Sequence, residues 1–567
     1  MKKTLSHIAL AFGSLFLFQQ NSQAAWDGKT ETYGWYINAD SLAGETIDNP
    51  FIIASESDLV GLAKLVCESV ANTSPHPNAF DGKYFVLTSD LDFSNKKGAK
   101  NNWTPIGDKR NPFRGYFLGQ GHTIKNLNIK GSCNDQSDIS IDVYSESKNA
   151  KHEDIYSKFQ GTKCNDLGLF GHIMHAKISD LKLENITIDG NYIIGGICGH
   201  AGWNSSIKNC SVEGELKGKG LIGGICGYME MQCVIDSCSA HGTIISSGGK
   251  LANGGICGLA QTKCNIQNCK NTASIFCNEA EYVGGICGMT NRFGNLVRCT
   301  NSGDITITGS GNGNFSAFGG ICGVLGHSCV LNETTNIGHL KVTASQGFVG
   351  GNCGLASEET TLTNNFNAGG ITASKEIISG GICGMNYRNT TNNNINVGNI
   401  DSEGIKGGVI GYNYKDRSIV IKCYYDKQMC PVDYGIGITE AGKKKGSNHG
   451  TDKMETAEMV STFSKSLDMT KWSSAAGNYP FLTSMASSEI VKLSAQPIIL
   501  QNGQTVNNVS APFKASTTND TRWSFKAGDV TIDENGDATL LQSGTVTLTL
   551  TDGISKRTVN LTSTSAQ

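Results

Sequence analysis

The amino-acid sequence predicts an all-β protein: a parallel β-solenoid of about nine repeats of about thirty residues, with small α/β caps and a C-terminal β-sandwich. Three observations predict it. First, the pentapeptide G-G-x-C-G recurs and places cysteines at Cys198, Cys226, Cys257, Cys287, Cys322, Cys353 and Cys383, with spacings of 28, 31, 30, 35, 31 and 30. Second, with each cysteine as position zero, apolar residues keep register. Ile207, Ile235, Ile266, Leu296, Leu331 and Leu362 stand at +9, and Leu216, Ile244, Ile275, Ile305, Leu340 and Ile371 at +18. Third, the 567 residues hold 70 glycines and only nine prolines, about twice the usual glycine share. A Gly-Gly pair in every unit and many β-branched residues disfavour helical repeats.

The elements follow in chain order. Lys2 and Lys3 precede an apolar run from Ile8 to Phe18, and Ser22-Gln23-Ala24 offers small residues for cleavage. Residues 1–24 therefore read as a signal peptide, and the protein is expected to be secreted or held at a bacterial cell surface. No later stretch is long and apolar enough for a membrane span. Residues 25–112 form an N-terminal capping region, with "ESDLVGLAKLVCES" at helical spacing and "GKYFVLTSDLDF" alternating as a strand. The solenoid occupies 113–423. Phe170 and Ile410 fill position zero in degenerate outer copies, and Phe117 does so in an earlier partial one. A polar, charged insertion at about 131–166 interrupts the first repeats as a projecting loop.

Within a unit, apolar residues at +9 and +12 cannot share one face of a straight strand, so the chain bends between them. The recurrent glycine at +16 marks another corner. The expectation is three short strands per rung, with position zero inward and its preceding neighbour outward. Position zero never holds a polar residue, so the thiols read as a buried ladder of small hydrophobes. Disulfides between rungs are the alternative, since export favours oxidation. Parallel Cβ vectors on rungs about 4.8 Å apart fit such bonds poorly. Cys133 with Cys164, and Cys423 with Cys430, are the candidate loop disulfides. No C-x-x-C pair or H-x-x-x-H spacing occurs, so no metal or cofactor is expected.

The G-G-x-x-G core and the N-x-G-x-I tail, as in "CTNSGDI", resemble the GLUG repeat of bacterial surface proteins and some secreted peptidases, over about residues 168–423. Here cysteine replaces the usual aliphatic residue at position zero. The resemblance implies a surface location more than a reaction. No H-E-x-x-H is present, although some GLUG proteins are metallopeptidases, and no G-x-S-x-G elbow occurs. Residues 424–487 read as a C-terminal cap and linker, in which "TAEMVSTFSKSLDMTKW" is a short helix followed by Trp472, Tyr479 and Phe481. Residues 488–567 alternate as strands, and "DENGDATLLQSGTVTLTLT" resembles the bacterial Ig-like domains of intimin- and invasin-type adhesins.

A net charge of −3, with 17% charged residues, excludes a basic nucleic-acid surface. The turns after position zero carry Trp203, Tyr228, Phe293, Tyr387 and Tyr414. Stacking would bring them along one edge, where flat aromatics suit sugar faces or an extended protein. The expected function is adhesion or capture of an extracellular glycan or surface protein, with no catalytic residue assigned. A polysaccharide-cleaving solenoid enzyme and a passive spacer are the alternatives, because a carboxylate pair assembled across rungs is invisible in a linear reading.

Overall fold

A computed structural model describes residues 31–68, 80–94, 103–131, 139–148, 154–161, 166–248, 252–309, 316–414 and most of 418–487, with backbone strands between 499 and 564. The expected signal peptide and the Cys133–Cys164 pair lie outside the described residues.

The chain forms a parallel β-solenoid of about eleven turns. Its faces are continuous parallel sheets. The thiol-bearing face holds ten strands and the +9 face twelve. In the rung of Cys226 the strands are Leu221–Gly223, Cys226–Met231, Val234–Asp236 and Ser239–Ser247. Register follows the sequence repeat: Cys226 pairs with Cys257, Ile235 with Ile266 and Ile244 with Ile275. The rung thus has four faces rather than the expected three. The extra strand is the short one before Gly-Gly, which pairs into a sheet of eight.

The bends come from residues in the left-handed region. Gln232 (φ 55°) and Ser237 (φ 56°) turn the Cys226 rung at +6 and +11, and Lys263 and Asn268 repeat them one rung later. The +11 residue lets +9 and +12 both face inward. At the Gly-Gly corner the need is space: a Cβ on Gly320 would lie 2.1 Å from the Gly351 carbonyl and 2.3 Å from Cγ of Asn336.

Two expectations about direction are corrected. The residue before position zero is not outward: Ile197, Ile225, Ile256, Ile286, Ile321 and Ile382 are all buried in one cluster with the thiols. This residue sits in the bend itself, so two successive side chains enter the core, each isoleucine adding about 1.5–3 kcal/mol by burial. Phe117 is not at position zero but pairs with Ile178 on the +9 face.

The position-zero thiols are free and buried. All but Cys257 are seen to donate to the carbonyl two residues on, as Cys226 does to Tyr228 (3.3 Å), Cys287 to Met289 (3.2 Å) and Cys353 to Leu355 (3.1 Å). Burial pushes Cys257 up to about 11 and raises Cys287 and Cys322 as well, so these groups stay protonated and unreactive. A second thiol column, Cys210, Cys238, Cys269 and Cys299, occupies +12. Cys423 and Cys430 are likewise free and buried. Their expected disulfide is absent because Cys423 belongs to the inner stack, bonded to the Ile421 carbonyl at 3.3 Å. Native protein treated with iodoacetamide should leave the ladder thiols unlabelled, and denatured protein should label them without prior reduction. Cys287→Ser should cost about 1–3 kcal/mol by exchanging a thiol for a buried hydroxyl, read as a lowered urea midpoint.

Beside the thiols runs a buried asparagine ladder. Nδ2 of Asn271, Asn301, Asn336 and Asn367 donates to Oδ1 of the next member, ending on Asn396, at 2.8–2.9 Å. Each amide packs against the second glycine of a Gly-Gly pair, as Asn301 does on Gly285. In earlier rungs Val212 and Ala240 take this place against Gly196 and Gly224.

At the N-terminal end the helix Glu56–Glu68 forms as expected, opened by Ser55, whose Oγ accepts from the Asp58 amide at 3.2 Å. It buries Leu59, Leu62 and Val66 in the solenoid core. At the other end the helix is only Thr456–Met459. Trp472 and Tyr479 do not close the stack. They pack with Phe366, Ile395 and Tyr424 on its flank, where Trp472 Nε1 donates to Asn364 (3.2 Å) and the Tyr479 hydroxyl to Asp426 (2.6 Å). The insertion contributes an antiparallel hairpin, Ile139–Lys148 with Asp154–Gly161. Between 499 and 564 the strands pair into one sheet of four and one of three. No described helix is long and apolar enough to cross a membrane.

Candidate functional site

The five aromatics expected on one edge divide into two groups. Trp203 and Phe293 are 44% and 47% exposed, while Tyr228 and Tyr387 are only 7% and 1% exposed. Trp203 stands at +5 and Phe293 at +6 of their rungs, on the same corner and three rungs apart, a rise of about 14 Å. Phe293 itself takes the left-handed conformation (φ 53°). Tyr387 and Tyr414 face each other across adjacent rungs with centroids 4.8 Å apart, and Arg388 lies over the Tyr387 ring.

Tyr228 belongs to a feature the linear reading missed. The outward side chains before and after Gly-Gly, at −5 and +2, meet across the concave corner. Leu221, Tyr282, Phe348, Leu259, Met289, Leu355, Met385 and Tyr412 form one buried apolar strip there. The +2 column reads Tyr228, Leu259, Met289, Val324, Leu355, Met385 and Tyr412 along the stack, but it begins with His172 and His200. These two pair in register, as His200 does with Tyr228. Asp166 takes the −5 place, since Leu167 bridges to Ile194.

The strip therefore ends in a polar cluster. The imidazoles stack with centroids 3.9 Å apart, and Tyr228 stacks on His200 at 4.6 Å. Oδ2 of Asp166 lies 3.3 Å from Nδ1 of His172 and 3.6 Å from Nδ1 of His200. Nε2 of His200 lies 3.8 Å from Oε2 of Glu230, whose ionised form His200 and then Trp203 favour. Nε2 of the buried His172 has no hydrogen-bond partner, and its Nδ1 meets only Asp166. Burial opposes ionisation of Asp166, but the two imidazoles outweigh it and hold the carboxyl at about 2. Burial likewise opposes charge on His200, yet Asp166 and Glu230 raise it to about 9. Burial, then the His200 charge, pushes His172 down. Among the described residues, Asp166, His172 and His200 are the one group whose side-chain atoms converge as metal ligands do. The absence of metal-ligand spacing along the chain thus did not exclude convergence across rungs. One rung separates the histidines, so only alignment by repeat position brings them together.

Comparison with curated proteins finds no match. Among solved structures, the chain resembles a candidate immunoglobulin A1 protease from Bacteroides ovatus at 18% identity and a TM-score of 0.32, covering 78% of this chain and 94% of that one. It also resembles an IgA1 protease at 17% identity and a TM-score of 0.33, covering 60% of this chain and 21% of the other. A family model, the GLUG motif, matches residues 190–217. These residues span the Cys198 rung from its Gly-Gly corner to Leu216, so the unit that builds this solenoid is similar to the GLUG motif.

Proposed function

We propose that the protein is an exported solenoid that binds an extended extracellular polymer, a glycan in the first instance, along the corner bearing Trp203 and Phe293. The observation that carries this reading is the pair of exposed aromatics on one rigid corner, one of them held at positive φ. The conformation is that of the solenoid bend, shared by Gln232, Lys263, Ser328 and Glu359, and a bulky side chain there costs about 1–2 kcal/mol. Gln232 and Lys263 occupy the same corner between them and supply polar contacts. Stacked rungs fix these side chains before binding, so little conformational entropy is lost. The paired C-terminal strands support reading 488–567 as an Ig-like module accompanying the shaft.

An array of glycans and matrix proteins probed with mature protein tests the reading. Trp203→Ala should weaken binding of the strongest ligand by about 1–2 kcal/mol and leave the melting temperature unchanged. Phe293→Asn should weaken binding while raising stability by about 1 kcal/mol. Tyr387→Ala should do the reverse, losing stability with binding intact. A second reading, a polysaccharide-cleaving enzyme, is favoured by the perturbed carboxylate–imidazole cluster beside Trp203. Release of shortened products during the same incubation would select it.

A further inference from the structure

We propose that Asp166, His172 and His200 form a binding site for one divalent first-row transition-metal ion, with Oδ2 of the carboxylate and Nδ1 of each imidazole as ligands and Glu230 as the outer partner of His200.

The distances separate this from an ordinary buried ion-pair cluster. Charge-assisted N–H···O bonds run at about 2.7–2.9 Å, yet the Asp166 contacts are 3.3 and 3.6 Å. Ligand bonds of about 2.0–2.2 Å give tetrahedral edges of about 3.3–3.6 Å, which these separations match. The three ligand atoms lie within 4.8 Å of one another. The two carboxylate–imidazole separations thus leave room for an ion among the three side chains.

Burial makes the same case. His172 is 3% exposed, its Nε2 makes no hydrogen bond, and its Nδ1 has only the long 3.3 Å approach to Asp166, an arrangement that burial penalises. Elsewhere in this column the side chains are apolar or tyrosine, so packing alone does not call for imidazole. Charge closes as well. With both imidazoles neutral in the metal-bound state, Asp166 and Glu230 together balance one divalent cation. Glu230 faces the far nitrogen of His200 at 3.8 Å, placed to become the outer carboxylate that fixes a metal-binding ring. Two nitrogens and one oxygen favour zinc, iron(II), cobalt(II) or nickel over magnesium or calcium. Glu230 is part-exposed and gives the ion a path to solvent. Three protein ligands leave at least one coordination position open.

The test uses full-length mature protein stripped with EDTA, then titrated with Zn(II) by calorimetry and with Co(II) by absorption. The expected result is one ion per chain and a Co(II) spectrum with visible d–d bands but no intense near-ultraviolet thiolate charge transfer. His172→Ala and His200→Ala should abolish this binding, and Glu230→Gln should weaken it by about 10–100-fold. His241→Ala should leave it unchanged. Should either histidine variant fail to fold, the part-exposed Glu230→Gln and the Co(II) spectrum of the wild type still decide. The proposal is overturned if folded wild type binds neither ion, if His172→Ala and His200→Ala bind as well as wild type, if Glu230→Gln has no effect, or if the Co(II) spectrum shows thiolate ligation. Ligand binding at Trp203 and Phe293 is read separately, so failure of the metal site leaves that reading standing.

Discussion

Gly320→Ala is expected to lower stability by about 4 kcal/mol or more, the upper range for a single substitution in a packed interior. The added methyl would meet the Gly351 carbonyl at 2.1 Å and the Asn336 amide at 2.3 and 2.5 Å. Neither can withdraw, because both belong to ladders locked to the rungs on either side. Gly121→Ala is the control. Its Cβ would meet nothing within 4 Å, although φ is +83°, so only backbone strain of about 1–2 kcal/mol is expected. Urea unfolding followed by circular dichroism checks both. Similar losses for the two would mean that the Gly-Gly corner is chosen for backbone conformation rather than for space.

The asparagine ladder gives the second large effect. Asn336 donates to Oδ1 of Asn367 and to the Gly338 carbonyl, both at 2.9 Å, and accepts from Asn301 at 2.9 Å. Asn336→Ala removes three buried bonds and strands the Asn367 oxygen without this donor, for an expected loss of about 2–4 kcal/mol. Asn336→Asp should be worse at neutral pH, since an ionised carboxylate would face the Asn367 oxygen with no proton to give. The folded state then favours the neutral acid, raising the folded pKa above the unfolded value of about 3.9. The added deficit should shrink as pH falls through that raised value. A deficit independent of pH would contradict the ladder's donor direction.

Much of this architecture is legible in the sequence because a solenoid repeats its chemistry at fixed intervals. The columns of Cys226, Ile235 and Ile244 could be paired without coordinates. What escaped depends on corners. The isoleucine before each thiol enters the core because it sits in a bend, where strand alternation does not hold. Phe117 lies on the +9 face rather than at position zero, and its partial repeat has no Gly-Gly-x-Cys to anchor the register. Tyr228 and Tyr387 are outward in register yet buried, since two faces meeting at a concave angle enclose what points between them. The Asp166–His172–His200 cluster was hidden by the same angle. Its members come from both sides of the corner and from two rungs, so no spacing along the chain marks them. The +2 column does carry the signal, two histidines followed by mostly apolar residues.

The claim that the Trp203–Phe293 corner is the binding surface is tested most directly by hydrogen–deuterium exchange with the strongest array ligand present. Slowed exchange is expected at residues 202–206, 230–234, 261–265 and 291–295, one corner on four consecutive rungs, with the opposite +18 face unchanged. Protection confined to the hairpin at 139–161 or to the strands beyond 499, with the corner unaffected, would contradict it.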